Sequence, residues 1–182
     1  MGRPIAVSYS AMLSFDIRSL TERAVTVDDT LSADDPVWEE GDPKPSSPLH
    51  VKGRLSAAGP GQFYWHGAIE GDVALECRRC LGDALGHVSE EAHLIFAEAG
   101  TEGVEDDPDV YLLDDRKPEL DLRPALREQW LLHVPGYALC RDDCQGLCPT
   151  CGAELNVGPC DCATSSADPR WEGLRKLREG QR

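Results

Sequence analysis

Cysteines carry the clearest chemical signal in this 182-residue sequence, which contains eight of them. Within residues 140–162, six follow the pattern C-x3-C-x3-C-x2-C-x8-C-x-C. Residues 148–152 read C-P-T-C-G, where two thiolates two residues apart can bind one tetrahedral ion and Pro and Gly favour the tight turn between them. A second short pair, Cys77 and Cys80, lies upstream. This spacing raises three possibilities: metal binding, disulfide formation and redox chemistry.

The expected cellular environment favours metal. Residues 1–20 lack a charged start followed by an apolar core, so no secretory signal is visible. We therefore expect a reducing cytoplasm, where clustered cysteines more often bind zinc than form disulfides. A site of four thiolates has no open position for an activated water, so zinc is predicted to stabilise the fold and not to hydrolyse a substrate.

Three groupings of four ligands are compatible with the spacing. The first is a tail site that takes Cys148 and Cys151, one cysteine from the two before them and one from the two after them. The second joins Cys77 and Cys80 to Cys148 and Cys151. The third forms two separate sites from all eight cysteines. The low entropic cost of closing short loops favours the tail site, but the sequence does not exclude the other two.

Two other interpretations of Cys77 and Cys80 stay open. Arg78 and Arg79 between them would stabilise thiolates, as a redox-active dithiol requires. A thioredoxin-like site places such a pair at the start of a helix, however, and here Leu81 leads into another strand-like run. The pair is also compatible with two partly buried cysteines at a hairpin tip. The five histidines are scattered, and none pairs with a cysteine at ligand spacing.

The composition is that of an acidic globular protein. Hydrophobic residues make up 41% of the chain and charged residues 28%, which is typical of globular domains. The chain has 18 Lys and Arg against 33 Asp and Glu, for a net charge of −15. An evenly acidic surface repels phosphate, which argues against binding nucleic acid through a broad basic face. The negative charge is compatible with a basic protein partner and with nucleic-acid contacts through local basic clusters. It is equally compatible with a charge that serves only to keep the protein soluble.

Hydrophobic periodicity predicts mostly strands before one helix. Alternating apolar residues predict strands over residues 13–17, 23–31, 49–55, 63–77, 87–97 and 110–113. A bulge is expected at residues 71–72, and Cys77 and Cys80 are placed near the tip of an antiparallel hairpin. No apolar run approaches the ~18 residues of a membrane span.

Two helices are predicted in the C-terminal third. The first has Asp121 as its N-cap and Pro124 in its first turn, and it ends at residues 135–136. The second is a short helix from Asp168, which forms the most basic part of the chain.

Candidate contacts with a partner or RNA are the basic side chains near the cysteines. Trp65 and Trp130 lie in periodic apolar patterns, so we expect them in the core. Trp171 lies between two arginines and could insert into a partner. The candidate contacts are Arg78, Arg79, Arg170, Trp171, Arg175 and Lys176.

Four segments, in order, resemble the YceD-like family of bacteria and plastids. They are a C-x-R-C-L hairpin at 77–81, an acidic strand-to-helix stretch at 110–134, a tail of the form C-x3-C-x-G-L-C-P-x-C-G-x-x-L-N at 140–156 with a following C-x-C, and an Asp-Pro-Arg helix from 168. The resemblance implies a link to accumulation and precursor processing of large-subunit ribosomal RNA, with no established catalytic activity. Some relatives lack much of the cysteine tail, which implies that zinc there is a stabiliser.

We therefore expect an α+β fold with an antiparallel, partly barrel-like sheet, one packed helix and a C-terminal cysteine-rich zinc module. The core domain is predicted over residues 1–135 and the zinc-binding tail, with its short helix, over 136–182. The predicted metal ligands, which would hold structural Zn²⁺, are Cys77, Cys80, Cys140, Cys144, Cys148, Cys151, Cys160 and Cys162.

Together with the resemblance, these features predict a cytoplasmic, non-enzymatic factor that assists large ribosomal subunit biogenesis. It would bind a ribosomal protein, an assembly factor or precursor ribosomal RNA, and no membrane. The alternatives are a dithiol redox or RNA-processing enzyme, and a structural protein-interaction adaptor.

Overall fold

The computed structural model describes residues 13–101, 104, 108–114 and 116–162, and the fold is α+β. Its elements are β1 Ser14–Asp16, α1 Ile17–Glu22, β2 Val25–Leu31, β3 Leu49–Gly59, β4 Gln62–Glu76, β5 Asp83–Ala97, β6 Val110–Leu112, β7 Glu119–Asp121 and α2 Arg123–His133. Five strands form one sheet in the order β2-β3-β4-β5-β6, and β1 pairs with β7. The pairings are antiparallel except for β5 with β6. The expectation of a mostly antiparallel α+β fold with few helices is confirmed.

The two faces of the large sheet differ because apolar residues alternate along its strands. One face is buried against α2, whose Trp130 lies beside Leu49 at the point where Gly71 leaves space. The side chains that β3, β4 and β5 contribute to the hydrophobic core are Leu49, Val51, Leu55, Phe63, Trp65, Ile69, Val73, Val88, Ala92, Leu94 and Phe96. The other face of these strands carries mostly polar side chains, with Leu85 and Ile95 as exposed apolar ones. Trp65 and Trp130 are core residues, as predicted.

The β4–β5 hairpin is long and regular. Its pairing runs without interruption from Gln62 opposite Ala97 to Glu76 opposite Asp83. The bulge predicted at residues 71–72 is therefore wrong, and the irregularity of the sheet lies in β3, between Ala57 and Gly59. Glycine is needed at position 71 for packing and not for a bulge. A Cβ there would lie 3.1 Å from a side-chain carbon of Leu49 and 3.2 Å from the Trp130 ring, so glycine permits α2 to pack closely on the sheet.

The start of α2 differs from the prediction by one residue. Leu122 occupies the N-cap and makes no side-chain capping bond. Asp121 ends β7 instead, and its carboxylate accepts hydrogen bonds from the backbone N–H of Arg123 at 3.0 Å and from its Nε at 2.9 Å. Proline lies in the first turn, as expected.

Some elements were not predicted. The strand expected at 13–17 ends at Asp16, which is the N-cap of α1 and whose carboxylate accepts a hydrogen bond from the N–H of Arg18.

The partly barrel-like closure expected for the sheet is not shown. The strands β2 and β6 are the edges of the described sheet order, which contains no β2–β6 pairing of the kind that barrel closure needs. The helix expected from Asp168 lies outside the described residues.

No helix in the described part of the chain is both long enough and apolar enough to span a membrane.

Candidate metal centres

The end of the β4–β5 hairpin forms a tight turn around two cysteines. The N–H of Cys77 donates to the carbonyl of Gly82 at 2.7 Å, and the N–H of Leu81 donates to the carbonyl of Cys77 at 2.9 Å. Leu81 has a φ of 60°, a left-handed conformation that a leucine rarely adopts. The two bonds close the turn over residues 77–82, which brings Cys80 back beside Cys77.

A second pair of cysteines reaches this turn from the segment after α2. The Sγ of Cys144 lies 3.7 Å from that of Cys77, and the Sγ of Cys140 lies 3.7 Å from that of Cys80. Cys77 and Cys144 are buried, with exposures of 0% and 2%. We call these four residues the sheet cluster.

Two arginines hold this segment against the hairpin. Arg78 donates through Nε and Nη2 to the carbonyl of Gly136 at 3.0 and 2.9 Å, and its N–H donates to the carbonyl of Ala138 at 2.9 Å. Arg79 donates through Nη1 to the carbonyl of Cys144 at 2.9 Å. These donors hold the segment with Cys140 and Cys144 against the hairpin. That both arginines also contact a partner or RNA stays a prediction.

The remaining four cysteines form a second group, which we call the tail cluster: Cys148, Cys151, Cys160 and Cys162. The N–H of Cys148 donates to the carbonyl of Ala153 at 2.8 Å, and the N–H of Gly152 donates to the carbonyl of Cys148 at 2.9 Å. This is the hydrogen-bond pattern of the hairpin turn, with Gly152 at φ 73° in the place of the left-handed leucine. The same turn therefore occurs twice.

The two clusters are joined by a close backbone contact. The N–H of Leu147 donates to the carbonyl of Arg79 at 3.1 Å. Gly146, at φ 74°, makes this approach possible, because a Cβ there would lie 2.9 Å from the same carbonyl oxygen. The turn that follows, with Cys148, is thereby held against the hairpin.

Asn156 is a structural residue of the sheet cluster that the sequence interpretation missed. Its Nδ2 donates to the Sγ of Cys144 at 3.4 Å, and its Oδ1 accepts from the N–H of Gln145 at 2.8 Å. The hydrogen bond from Asn156 to the Cys144 sulfur is the largest cause of the lowered pKa of Cys144. Its position five residues after Cys151 was the available signal, but spacing alone does not show that an amide returns to the other cluster.

Backbone donors favour the thiolate form of the first cysteine in each turn. The N–H of Cys80, with a second N–H from Cys140, lowers the pKa of Cys77 to about 6. The N–H of Cys151, with that of Thr150, lowers the pKa of Cys148 to about 6. Hydrogen bonds to a thiolate stabilise its charge, and a thiolate is the form that binds metal.

Their neighbours have raised pKa values. Desolvation, followed by the nearby thiols, raises the pKa of Cys140 to about 12. Hydrogen bonding with Cys151 is the largest cause that raises the pKa of Cys162 to about 12. Four sulfur atoms so close together cannot all ionise without a cation between them, and a divalent cation would favour the thiolate in each.

Each cluster is compact enough to hold one metal ion. All four Sγ atoms of each group lie within 4.8 Å of one another. A tetrahedral ion with metal–sulfur bonds of about 2.3 Å separates its ligands by about 3.8 Å, and the two separations in the sheet cluster are 3.7 Å. A disulfide would need about 2.05 Å, and all eight cysteines are free. Both clusters can therefore hold a metal ion.

This arrangement corresponds to the third grouping, two sites that use all eight cysteines. Neither single-site grouping matches, because Cys77 and Cys80 meet Cys140 and Cys144 and not Cys148 and Cys151. The cause lies in the path of the chain after α2, where residue 138 forms a parallel bridge with Cys77. The other candidate contacts, Arg170, Trp171, Arg175 and Lys176, lie outside the described residues.

Comparison with protein families gives a match to the family described as large ribosomal RNA subunit accumulation protein YceD, over residues 65–178. The matched region contains most of the β4–β5 hairpin, α2 and both cysteine clusters. No solved structure matches this chain significantly.

Several curated proteins are similar in sequence. The uncharacterized protein YlbN of Bacillus subtilis is 26% identical over 164 residues, which cover 90% of this chain and 93% of YlbN. The uncharacterized protein Rv2926c of Mycobacterium tuberculosis is 32% identical over 114 residues, or 61% of this chain; the aligned region spans only 53% of that relative. The Arabidopsis thaliana protein named large ribosomal RNA subunit accumulation protein YCED homolog 1, chloroplastic, is 36% identical over 61 residues, or 34% of this chain and 19% of the plant protein.

Proposed function

This chain belongs to the YceD family of large ribosomal RNA subunit accumulation proteins, and from that premise we propose that it is a non-enzymatic factor in large ribosomal subunit biogenesis. It would act in the cytoplasm and promote the accumulation or processing of precursor large-subunit ribosomal RNA. The observation that carries the proposal is the family match over residues 65–178. That region includes most of the hairpin together with the helix and the cysteine clusters.

We propose structural Zn²⁺ as the ion of both clusters. Four thiolate donors are the ligand set that zinc prefers in closed, tetrahedral sites. Residues 145–162 contain few apolar side chains, and those of Val157 and Leu155 are not buried, so this segment gains little from hydrophobic packing. Zinc would supply the folding free energy that the segment lacks.

The partner surface is proposed to lie beside the sheet cluster. A cleft of about 340 Å³ lies between the hairpin turn and the segment after α2, lined among others by Leu75, Leu81 and Pro135. Leu81 is 61% exposed, and Tyr137, in the adjoining segment, is 62% exposed. Exposed large apolar side chains next to a rigid turn are typical of protein-binding surfaces.

A ribosomal protein or an assembly factor fits the charge of this chain best. Ribosomal proteins that bind RNA are basic, and a net charge of −15 would attract such a partner over a long range. Precursor ribosomal RNA would then be contacted only locally, through basic side chains such as Arg78, Arg79 and those after residue 168.

Crosslinking with mass spectrometry in cells tests this proposal, with the native chain compared to a variant that is altered in the cleft. We expect the native chain to crosslink to a large-subunit ribosomal protein or assembly factor, and Leu81→Asp to lose that crosslink while it retains its metal. Aspartate tolerates the left-handed backbone at this position. The matched control is Leu112→Asp, because Leu112 is 56% exposed and pairs with Ala97, at the end of β5 away from the turn that borders the cleft.

The proposal fails if the native chain captures no ribosomal component and depletion leaves large-subunit ribosomal RNA unchanged. The non-enzymatic part is tested separately by titrating thiols in the zinc-loaded protein. Complete protection of Cys77 and Cys80 is expected, since closed thiolate sites shield their ligands, whereas rapid reaction of either thiol would favour a redox enzyme.

A further inference from the structure

The exposed face of the β4–β5 hairpin carries a group of side chains that the cysteine clusters do not involve. His66 on β4 lies directly opposite His93 on β5, and Glu91 is two residues before His93 along β5. All three lie on the face opposite α2, and the side chains of His66 and Glu91 are 45% and 67% exposed. The pairing of a regular antiparallel hairpin thus brings together residues from separate parts of the sequence.

The geometry of this group is compact. The two imidazole rings are stacked, with centroids 4.4 Å apart and planes inclined by 13°. The Nε2 of His66 lies 2.5 Å from the Oε1 of Glu91. One ligand atom from each of the three side chains can be chosen such that all lie within 4.8 Å of one another.

Tyr64 fixes the orientation of one ring. Its hydroxyl lies 2.6 Å from the Nδ1 of His93, so this nitrogen already has a hydrogen-bond partner and Nε2 remains for another interaction. A histidine that binds metal through one ring nitrogen commonly has the other nitrogen held by a hydrogen bond, which sets the tautomer and the ring orientation.

We propose that His66, Glu91 and His93 bind a divalent transition-metal ion on the open face of the sheet, at a site separate from both cysteine clusters. Two imidazoles and one carboxylate suit ions such as Zn²⁺, Ni²⁺ or Fe²⁺ and do not suit Mg²⁺ or Ca²⁺, which prefer oxygen ligands. Binding moves the Glu91 carboxylate from the imidazole to the metal and turns the His66 ring out of its stack on His93, because an imidazole binds through a lone pair in the plane of its ring. The bound ring keeps one N–H: a neutral ring exchanges its Nε2 proton for one on Nδ1, and an imidazolium releases one proton to solvent.

The site is expected to bind more weakly than the cysteine clusters. It offers three protein ligands, so water completes the coordination, and it is exposed. Arg54 lies opposite His66 on the neighbouring strand β3, and its positive charge opposes a cation. The strongly negative net charge of the chain partly offsets that repulsion.

Two other histidines on this face provide matched controls. His50 lies 3.1 Å from a carboxylate oxygen of Asp28, and His87 lies 2.8 Å from one of Asp72. Each resembles the His66–Glu91 pair in exposure and in its acidic partner, but neither belongs to a group with a second imidazole in the described residues. An ion that bound any exposed histidine–carboxylate pair would be lost equally from all three places.

Equilibrium dialysis of the full chain, with both cysteine clusters saturated, tests the proposal with Zn²⁺ as the probe. We expect the native chain to retain one ion more than His66→Ala or His93→Ala, and Glu91→Gln to bind that ion at least about tenfold more weakly. His50→Ala and His87→Ala should bind as the native chain does. The NMR chemical shifts of the imidazole nitrogens of His66 and His93 should change together as Zn²⁺ is added. A purely structural contact between the two rings would not produce this response to the metal.

Equal ion counts in the native chain and the His66→Ala, His93→Ala double variant would overturn this proposal. So would equal losses in the His50 and His87 variants. Because the count is a difference between chains with the same cysteines, the result does not depend on the proposed role in ribosome biogenesis. All five substitutions are on the exposed face, and circular dichroism checks that the sheet is retained.

Discussion

The sheet cluster and the tail cluster share one turn but differ in what that turn is attached to. In the sheet cluster, a β-hairpin supplies two cysteines and the segment after α2 supplies the other two, with Cys77 and Cys144 buried. In the tail cluster, all four cysteines come from residues 148–162, and of these only Cys148 is buried. A metal ion in the first would connect separate parts of the fold, whereas a metal ion in the second would order only its own segment.

The difference also appears in the backbone of the two turns. The residue after the second cysteine is left-handed in both, but it is Leu81 in the hairpin and Gly152 in the tail. Glycine adopts this conformation without cost, and a leucine does not. A strained residue persists only where its surroundings hold it, and here the paired strands on both sides do so. The hairpin turn therefore gains the exposed apolar side chain that borders the proposed partner cleft.

The largest effect is expected from Cys77→Ser in the zinc-loaded chain. The substitution removes a buried ligand, so one metal equivalent should be lost and the unfolding temperature should fall by ~10 °C or more. Calorimetry with metal analysis measures both. Loss of the metal with an unchanged unfolding temperature would contradict the view that the sheet cluster connects parts of the fold.

A smaller effect is expected from Gly146→Ala, which tests the contact between the clusters. The Cβ would meet the Arg79 carbonyl at 2.9 Å and the backbone has φ 74°, so we expect a cost of about 3 kcal/mol. Protection of the Leu147 amide against hydrogen exchange should fall by about 100-fold. The control is Gly152→Ala, where φ is 73° but no atom lies within 4 Å; about 1 kcal/mol is expected there, and equal costs would argue against the close contact.

A gain is expected from Leu81→Gly, which relieves the left-handed strain of the hairpin turn. Because the side chain is 61% exposed, little packing is lost, and the chain should be stabilised by ~0.5–1 kcal/mol. Urea unfolding measures the change. Gly152→Leu should have the opposite sign; destabilisation by both substitutions would show that the leucine packs more than its exposure indicates.

The smallest effect on the sheet is expected from Cys151→Ser. One metal equivalent should again be lost, but the unfolding temperature of the sheet should change by less than ~2 °C, because the ligands of the tail cluster come from one short segment. Amide exchange should increase within residues 148–162 only. A fall as large as that for Cys77→Ser would remove the distinction between the clusters.

The sheet was largely predictable from sequence because its strands alternate. Residues such as Phe63, Trp65 and Ile69 lie on one face, and a period of two has no other common interpretation. By contrast, α1 has six residues and β7 has three, too few to give a periodic signal. The strand β1 is followed directly by α1 and pairs with β7, more than 100 residues later in the sequence.

The two C-x2-C pairs were predictable, but the cysteines that join each pair in a cluster were not. C-x2-C spacing identifies Cys77 with Cys80 and Cys148 with Cys151, since both cysteines of a pair lie in one turn. Which other cysteines complete each cluster depends on the path of the chain after α2, and the loop-length argument favoured a grouping that the structure does not show. The pairing of His66 with His93 is similar, because it follows from the register of the hairpin. The domain boundary predicted at residue 135 stays a prediction, and the contacts of the sheet cluster cross it.

The separation of ligands along the chain has a consequence for the order of folding. The sulfur pairs of the sheet cluster join residues 67 and 60 positions apart, whereas the tail cluster closes within residues 148–162. Contacts distant in sequence form late, because loop-closure entropy must be overcome first. With a metal ion in each cluster, the tail would therefore bind its ion as soon as it is synthesised, while the sheet cluster would bind its ion only after β4, β5 and α2 have come together. An occupied sheet cluster would then mark a chain whose folding is complete.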